Sequence, residues 1–353
     1  MYKEVNMKER VAVIGAGAWG TVLANLLAKK GHPVSLWVFE EDLAREIRET
    51  RFNRVYLPDT PLSERIIPSS SCEETARGCR IFLFVTPSHV TREVAERFRP
   101  FITEGSVVLS AAKGIENHTL MTVSEILPQA LSHIPQGNFA YLSGPSFALE
   151  VARELPTAVS LAGRSKAVAM EMQTLLAAPY FRIYITPDVM GVELGGAVKN
   201  VMAIAAGISD GLGFGYDARA ALITRGLMEM SRLGTAMGAS PMTFMGLAGL
   251  GDLVLTCTGD LSRNRSVGFR LGQGESLKEI LDNERTVAEG VRTTRSVHDL
   301  SKRHNVEMPI THQVYRILYQ GASPKYAVHE LMSRDPREEQ ESSGGREGVD
   351  WKS

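Results

Sequence analysis

The chain has 353 residues, of which 44% are hydrophobic and 22% charged, and its formal net charge is −1. This length is enough for two domains, and the near-zero charge offers no electrostatic attraction for nucleic acid or for an acidic membrane surface. Its three cysteines, Cys72, Cys79 and Cys257, are too few and too irregularly spaced for a disulfide framework or a zinc site. We therefore expect no bound metal and a reducing, cytoplasmic location.

The two ends of the chain are polar. The first ten residues lack the apolar core of a signal peptide, and no apolar run in the chain reaches the roughly 18 residues that a membrane helix needs. From Arg334 the composition is too polar to bury a core. We expect no membrane span, and we expect residues 334–353 to form a disordered tail.

Short apolar strands alternate with helical patterns through the first half of the chain. Helical spacing of apolar residues covers 21–30 and 41–50. The strand patterns are Val11–Ile14, Val34–Val38, Ile81–Val85 and Val107–Ser110. Alternation of this kind indicates βαβ units. It predicts an α/β Rossmann-like domain with a mostly parallel sheet over residues 8–189.

Strand patterns nearly vanish after Pro187. Helix-compatible stretches cover 189–208, 219–237, 276–282, 293–304 and 311–318. The change predicts an all-α C-terminal domain over residues 190–333, following the sheet domain.

A glycine-rich loop, Gly15-Ala-Gly-Ala-Trp-Gly20, follows the first strand and opens the first helix. In such a loop Gly15 permits the tight turn, Gly17 lets the backbone approach a pyrophosphate, and Gly20 lets helix and strand pack closely. The amide groups at the helix N-terminus attract phosphate. The motif in this position predicts a dinucleotide site for NAD or NADP.

The end of the second predicted strand bears on cofactor choice. An acidic residue there binds the adenosine ribose of NAD, whereas an arginine accommodates the additional phosphate of NADP. This chain has Phe39-Glu40, which favours NAD, although Arg45 or Arg54 could fold back towards the same site.

Lys199 is an unusual residue in a small, apolar segment, Gly191–Val201. On a helix, the positions three, four and seven residues away are glycine, alanine, valine or methionine, so this face offers no carboxylate to the ammonium group. The lysine either meets an anion such as a substrate or extends its stem to reach solvent. The narrow face would let a backbone or a ligand come close.

Four further stretches place polar groups in tight surroundings. They are Ala111–Glu116, Leu142–Ala148, Gly249–Leu253 and Ser262–Arg265. The first follows a strand, where α/β sheets bind ligands, and the last clusters donors of the kind that bind phosphate. Taken singly, each has an ordinary structural explanation as a surface lysine, a turn, a helix cap or a solvated charge.

In this order, the motifs closely resemble those of the bacterial NAD(P)-dependent glycerol-3-phosphate dehydrogenases, from about Arg10 to Met332. The resemblance implies reversible reduction of dihydroxyacetone phosphate to sn-glycerol 3-phosphate, with Lys199 transferring the proton, to supply glycerophospholipid synthesis. It implies substrate contacts from Lys113, Gly144, Ser146, Lys199, Asp252, Ser262, Arg263 and Asn264. Besides the glycines of the loop, it implies cofactor contacts from Ala18, Trp19, Phe39, Lys113, Ala148, Arg263, Val287 and Glu289.

Two positions depart from the family pattern. The position of Ala18 is commonly serine, and that of Phe39 is often basic, which puts NADP preference in doubt. A dehydrogenase of another small acid, such as a β-hydroxyacid or 6-phosphogluconate, and a protein that binds NAD without turning it over remain alternative readings. The Ser262–Asn264 cluster and Lys113 favour the phosphorylated ketone. We also expect a homodimer.

Overall fold

The computed structural model describes residues 8–282, 288–336 and 339. Val287, one of the expected cofactor positions, and most of the predicted tail lie outside the described residues. The strands are β1 (Val11–Ile14), β2 (Val34–Trp37), β3 (Phe52–Asn53), β4 (Leu57–Pro61), β5 (Ile66–Ser69), β6 (Ile81–Phe84), β7 (Val107–Ser110), β8 (Phe139–Ser143), β9 (Thr157–Gly163) and β10 (Phe181–Thr186).

The α-helices follow in chain order. They are α1 (Ala18–Lys29), α2 (Glu41–Thr50), α3 (Cys72–Ala76), α4 (Thr91–Phe98), α5 (Val123–Ala130), α6 (Ala148–Ala152), α7 (Lys166–Leu176), α8 (Val189–Gly211), α9 (Tyr216–Ala236), α10 (Pro241–Phe244), α11 (Asp252–Thr258), α12 (Arg263–Gly272), α13 (Leu277–Asp282), α14 (Glu289–Arg303), α15 (Pro309–Gln320) and α16 (Pro324–Met332).

Eight strands form one sheet in the order β10-β9-β8-β7-β6-β1-β2-β5, and β3 and β4 form a separate hairpin. Every neighbouring pair in the large sheet is parallel except β8 and β9. The mostly parallel sheet predicted from the alternating pattern is confirmed. Because β1, β6, β7 and β8 run in the same direction, the loops after them meet at one edge of the sheet.

Helices cover both faces of this sheet. Val11 and Val13 of β1 pack into one apolar cluster with α1, whereas Ala12 and Ile14 pack into a second with α4. This alternation follows from the two-residue period of a strand. Burial on both faces explains why the strands read as continuous apolar runs rather than as alternating patterns.

The helical half of the protein is organised around α8, which is buried along nearly its whole length. Helix α12 crosses it at glycines. A Cβ atom on Gly207 would lie 2.0 Å from the carbonyl oxygen of Arg265, and one on Gly268 would lie 2.1 Å from that of Ile204. The two helix backbones are therefore in direct contact, which no larger residue at these glycines would permit.

The predicted strands and helices are confirmed with shifts at their ends. Helix α14 begins at Glu289, four residues before the predicted start. Several elements were not predicted, among them the strands β8, β9 and β10 and the helix α12. Strand β10 ends at Thr186 and α8 begins at Val189, so the change from sheet to helices falls near the expected boundary. The division into domains at 189/190 itself stays a prediction.

Two helical stretches, Val189–Gly211 and Pro241–Thr258, are long and apolar enough to cross a membrane by length and composition. The apolar window of the first is 83% buried inside the protein, as expected of a core helix, and that of the second is 39% buried. The expected absence of a membrane span stays a prediction.

Candidate active site

Lys199 lies in the middle of α8, and its side chain is almost completely buried. Its Nζ atom donates to Oδ1 of Asp252 at 2.5 Å and to Oγ1 of Thr256 at 2.9 Å. The face of α8 around Lys199 offers no carboxylate, as predicted, and the negative charge comes from α11 instead. The lysine therefore does not reach for solvent over the surface of the protein.

Asp252 joins two lysines that are distant in sequence. The residue is 1% exposed, and its Oδ2 atom accepts a hydrogen bond from Nζ of Lys113 at 2.8 Å, whereas Lys199 bonds the other carboxylate oxygen. Lys113 also donates to the carbonyl oxygen of Gly144 at 3.0 Å. The loops after β7 and β8 thus meet α8 and α11 at one buried cluster, and its two ammonium groups share a single carboxylate.

The cluster changes the acidity of its members. Burial is the main reason that the pKa of Lys199 falls to about 8, and Lys113 lowers it further while Asp252 opposes the change. For Asp252, burial favours the neutral acid, but the two ammonium groups outweigh it and lower the pKa of the carboxyl group. At neutral pH the cluster holds an anion between two cations, one of which is close to its titration point.

Protein atoms occupy the space beside the glycines near Lys199. A Cβ atom on Gly195 would lie 2.2 Å from the carbonyl oxygen of Ala248, in the π-helical turn Leu247–Gly251 that leads into α11. One on Gly196 would lie 2.4 Å from Oγ of Ser143. The sequence left open whether a backbone or a ligand approaches this narrow face, and at Gly195 the approaching group is the backbone of the turn before α11. That close approach brings Asp252 within reach of Lys199.

The turn after β8 is fixed by hydrogen bonds to one carbonyl group. Gly144 has a φ of +137°, which favours glycine, and Ser146 donates from Oγ to its carbonyl oxygen at 3.0 Å. Lys113 donates to the same oxygen. The turn ends where α6 begins, at Ala148, another expected cofactor position.

The predicted phosphate cluster divides into three different roles. Ser262 caps α12, with its Oγ atom accepting from the amide of Arg265 at 3.2 Å. Asn264 donates to Oδ1 of Asn200 at 2.9 Å and accepts from the amide of Gly290 at 2.9 Å. Arg263 is exposed, and within the described ranges it makes no hydrogen bond or ion pair.

The nucleotide loop has the geometry expected of its motif. Gly15 has a φ of +114°, and a Cβ atom on Gly20 would lie 1.9 Å from the carbonyl oxygen of Gly15. By contrast, a Cβ atom on Gly17 would meet nothing within 4 Å, and no side chain caps the N-terminus of α1, which begins with Ala18 and Trp19. Open space and uncapped amides at this position fit a pyrophosphate.

Two further expected cofactor positions are Phe39 and Glu289. Phe39 is 68% exposed beyond the end of β2 and packs edge-on against Trp37. Glu289 begins α14 and accepts a hydrogen bond from the amide of Ser88 at 3.3 Å, which ties the helical half to the loop after β6. Burial raises the pKa of Glu289, although the nearby positive charges of Arg263, Lys113 and Lys199 oppose the change.

Sequence reasoning missed three residues that support the site. Thr256 lies one helical turn after Asp252, a spacing that could have revealed it. Asn200 adjoins Lys199 and contacts Asn264. Asn53 is fully buried and donates to the carbonyl oxygen of Ala16 at 2.8 Å, inside the nucleotide loop, and no local pattern signals this contact. Within the described part of the chain, no cluster of three or more His, Cys, Asp or Glu residues could hold a metal ion.

Comparison with known proteins gives matches along most of the chain. A family model for the NAD-dependent glycerol-3-phosphate dehydrogenase N-terminus matches residues 10–169, and the corresponding C-terminus model matches 188–329. The glycerol-3-phosphate dehydrogenase [NAD(P)+] of Citrifermentans bemidjiense is 57% identical over 94% of this chain and 99% of its own length. That of Geobacter metallireducens is 55% identical over the same shares.

Solved structures give the same result. The glycerol-3-phosphate dehydrogenase from Coxiella burnetii is 43% identical, with a TM-score of 0.89 over 93% of this chain and 100% of that one. The enzyme of the same name from Saccharomyces cerevisiae is 27% identical, with a TM-score of 0.76 over 92% and 99%. The chain therefore belongs to the family of NAD(P)-dependent glycerol-3-phosphate dehydrogenases, which are oxidoreductases.

Proposed function

We propose that the protein reversibly reduces dihydroxyacetone phosphate to sn-glycerol 3-phosphate, with Lys199 as the proton donor. The observation that carries this proposal is the buried cluster of Lys199, Asp252 and Lys113, which lies where the carboxyl edge of the sheet meets the helical half. A stable positive charge at this place suits an oxygen atom that becomes an alkoxide during the reaction.

The sheet domain, residues 8–189, would hold the cofactor, and the helical domain, 190–333, would hold most of the substrate. The uncapped amides of α1 and the open space at Gly17 support a pyrophosphate site there. When bound, the reduced nicotinamide cofactor supplies the hydride for the ketone carbon. The remaining tasks, which are to orient the ketone and to provide a proton, fall to side chains of the chain.

Lys199 has one donor to spare. An ammonium group carries three N–H bonds, and two of them are directed at Asp252 and Thr256. The oxygen of Thr256 is free to accept because its own proton goes to the carbonyl oxygen of Asp252 at 2.6 Å. The third N–H bond would polarise the ketone oxygen and then pass its proton to the alkoxide.

The substrate phosphate would bind at the start of α12. Arg263 is exposed and has no other partner within the described residues, so its planar fork of donors is available for two phosphate oxygens. Asn264 has already committed one amide proton to Asn200, so its remaining proton would supplement the arginine. The backbone contact between α8 and α12 holds both sites in one rigid unit.

The first experiment is an absorbance assay of NADH oxidation with dihydroxyacetone phosphate as the substrate. We expect turnover with this ketone and none with 6-phosphogluconate or a β-hydroxyacid in the reverse direction with NAD. Binding of NADH without turnover of any of these substrates would instead favour a protein that senses the nucleotide.

The pH profile should report on Lys199. Reduction needs its ammonium form, so kcat/KM for dihydroxyacetone phosphate should fall as pH rises through about 8. Oxidation of sn-glycerol 3-phosphate needs the neutral amine, so its kcat/KM should rise through the same region. Initial rates in both directions across this range measure the effect. A reduction rate that stays flat up to about pH 10, near the ordinary pKa of lysine, would contradict the assignment.

Replacing Arg263 by alanine should raise KM for dihydroxyacetone phosphate by about 100-fold, because a bidentate, charge-assisted contact is lost, with a smaller effect on kcat. The Kd of NADH must be measured alongside, since the same residue is an expected cofactor position. Arg270→Ala is the control, because Arg270 lies on the same helix and pairs with Glu275 at 2.6 Å. An unchanged KM would remove Arg263 from the phosphate site.

The family resemblance also supports a proposal about the physiological role of the protein. We propose that the physiological direction is towards sn-glycerol 3-phosphate for glycerophospholipid synthesis, and that the enzyme is a cytoplasmic homodimer. Sedimentation equilibrium of the purified protein would measure the oligomeric state.

A further inference from the structure

We propose that the protein selects NAD over NADP, with Glu40 as the selecting group and Tyr56 as the residue that positions it. This inference rests on the proposed function, because it assumes that the nucleotide loop binds the cofactor in the Rossmann manner. It is carried by contacts at the end of β2 that neither the family nor the names of the relatives assign, since those relatives are named for both nucleotides.

The carboxylate of Glu40 has a defined place. Glu40 is the residue before α2, three positions beyond the end of β2, and its side chain is exposed at the edge of the sheet where β1 carries the nucleotide loop. Oη of Tyr56 donates to Oε1 of Glu40 at 3.3 Å. Burial and the neighbouring carboxylate raise the pKa of Tyr56, so the hydroxyl group keeps its proton and remains a donor.

Tyr56 is in turn tied to the nucleotide loop through Asn53. The side-chain amide of Asn53 donates to the carbonyl oxygen of Ala16 and to Oγ1 of Thr21, both at 2.8 Å. Its Oδ1 atom accepts from the backbone amide of Tyr56 at 3.2 Å. The nucleotide loop, the segment 53–56 and the carboxylate of Glu40 therefore form one hydrogen-bonded unit. The distance from the phosphates to Glu40 is set by this unit.

The arginines nearest to Glu40 in the sequence have other partners, and Arg263 of α12, whose positive charge acts to lower the pKa of Tyr56, is assigned to the substrate phosphate in the proposed function. Four arginines lie between β2 and β4, and each contacts a group other than Glu40: Arg45 with Asp42, Arg48 with the carbonyl of Pro68, Arg51 with that of Ile66, and Arg54 with Glu46. The side chain of Phe39, which is exposed at the position that is often basic in the family, has no charge. The two arginines that could have folded back thus pair with acids of α2.

This arrangement favours a ribose hydroxyl over a phosphate. A 2′-hydroxyl group can donate to the carboxylate of Glu40. At neutral pH the 2′-phosphate of NADP has largely lost its second proton, so it is a poor donor to the carboxylate. It would also bring negative charge beside that carboxylate. The loss of the hydrogen bond to the hydroxyl group and the added repulsion act together, so we expect NADH to bind about tenfold more tightly than NADPH, which corresponds to about 1.4 kcal/mol.

The test is direct binding, without catalysis. Isothermal titration calorimetry of the full chain with NADH and with NADPH gives the two Kd values and their ratio. The measurement is repeated with Glu40→Gln, which removes the charge at constant size, and with Tyr56→Phe, which removes only the hydroxyl group. Glu41→Gln is the matched control, because Glu41 is the next residue along and is also exposed.

We expect the wild type to bind NADH more tightly than NADPH. The ratio of the two Kd values should fall to about one in Glu40→Gln and should stay at the wild-type value in Glu41→Gln. Tyr56→Phe should weaken NADH binding while leaving that of NADPH nearly unchanged. Equal or tighter binding of NADPH to the wild type, or a ratio that Glu40→Gln does not alter, would overturn the proposal. Failure of both nucleotides to bind would instead count against the proposed function.

Discussion

Lys199→Ala is expected to lower kcat for reduction of dihydroxyacetone phosphate by about 1,000-fold or more, because the variant loses both the group that polarises the ketone and the source of the proton. The Kd of NADH should stay within about twofold of the wild-type value, since Lys199 lies in the helical half, away from the nucleotide loop. NADH oxidation measured by absorbance gives the first quantity, and calorimetry gives the second.

Lys166→Ala is a matched control, because Lys166 is an exposed lysine that begins α7. It should leave both quantities unchanged. Thermal unfolding of Lys199→Ala is needed as well, since the variant leaves Asp252 with one cationic partner instead of two. If Lys199→Ala kept most of the wild-type rate while remaining folded, the proton would have to come from another group.

Asp252→Asn is expected to lower kcat for the same reaction by about 100-fold at neutral pH. Its amide cannot neutralise two buried ammonium groups, so Lys113 and Lys199 would repel each other. The carboxylate now holds the pKa of Lys199 up against burial, and without it that pKa should fall below about 8. Less of Lys199 would carry the proton that reduction requires.

The pH dependence distinguishes this effect from simple misfolding. In Asp252→Asn, the fall in the reduction rate should move to lower pH, so the remaining activity should recover partly as pH is lowered. Asp260→Asn is the control, because Asp260 carries the same charge, lies nearby on the chain and is exposed. A rate profile with the wild-type midpoint would show that Asp252 does not set the acidity of Lys199.

Much of the fold could be predicted from the sequence because its signals are local. The apolar run Val11–Ile14, the glycine loop and α1 form a continuous segment, and each part supports the interpretation of the next. The strands β9 and β10 were missed for a physical reason. They lie at one end of the sheet, and β10 alternates buried and exposed residues, so neither forms the continuous apolar run of a central strand.

In the site, too, the local features were predictable and the contacts between distant residues were not. Lys199, Asp252 and Lys113 were each found from their own surroundings, but their convergence on one carboxylate joins residues 53 and 139 positions apart. No periodic pattern spans such separations. The glycines near Lys199 were correctly singled out as permitting close approach, yet the choice between a ligand and the protein's own backbone depends on how α8 meets the turn before α11.

The backbone contact between α8 and α12 has a consequence for the range of substrates. Lys199 belongs to one helix and Arg263 to the other, and glycines on both helices remove the side chains that could act as adjustable spacers between them. If Lys199 contacts the ketone oxygen and Arg263 the phosphate, as proposed, the direct contact between the two helix backbones fixes the separation between these two groups of the substrate. Substitutions within the cleft should therefore alter how tightly a three-carbon phosphate binds more readily than they alter the length of molecule that the enzyme accepts.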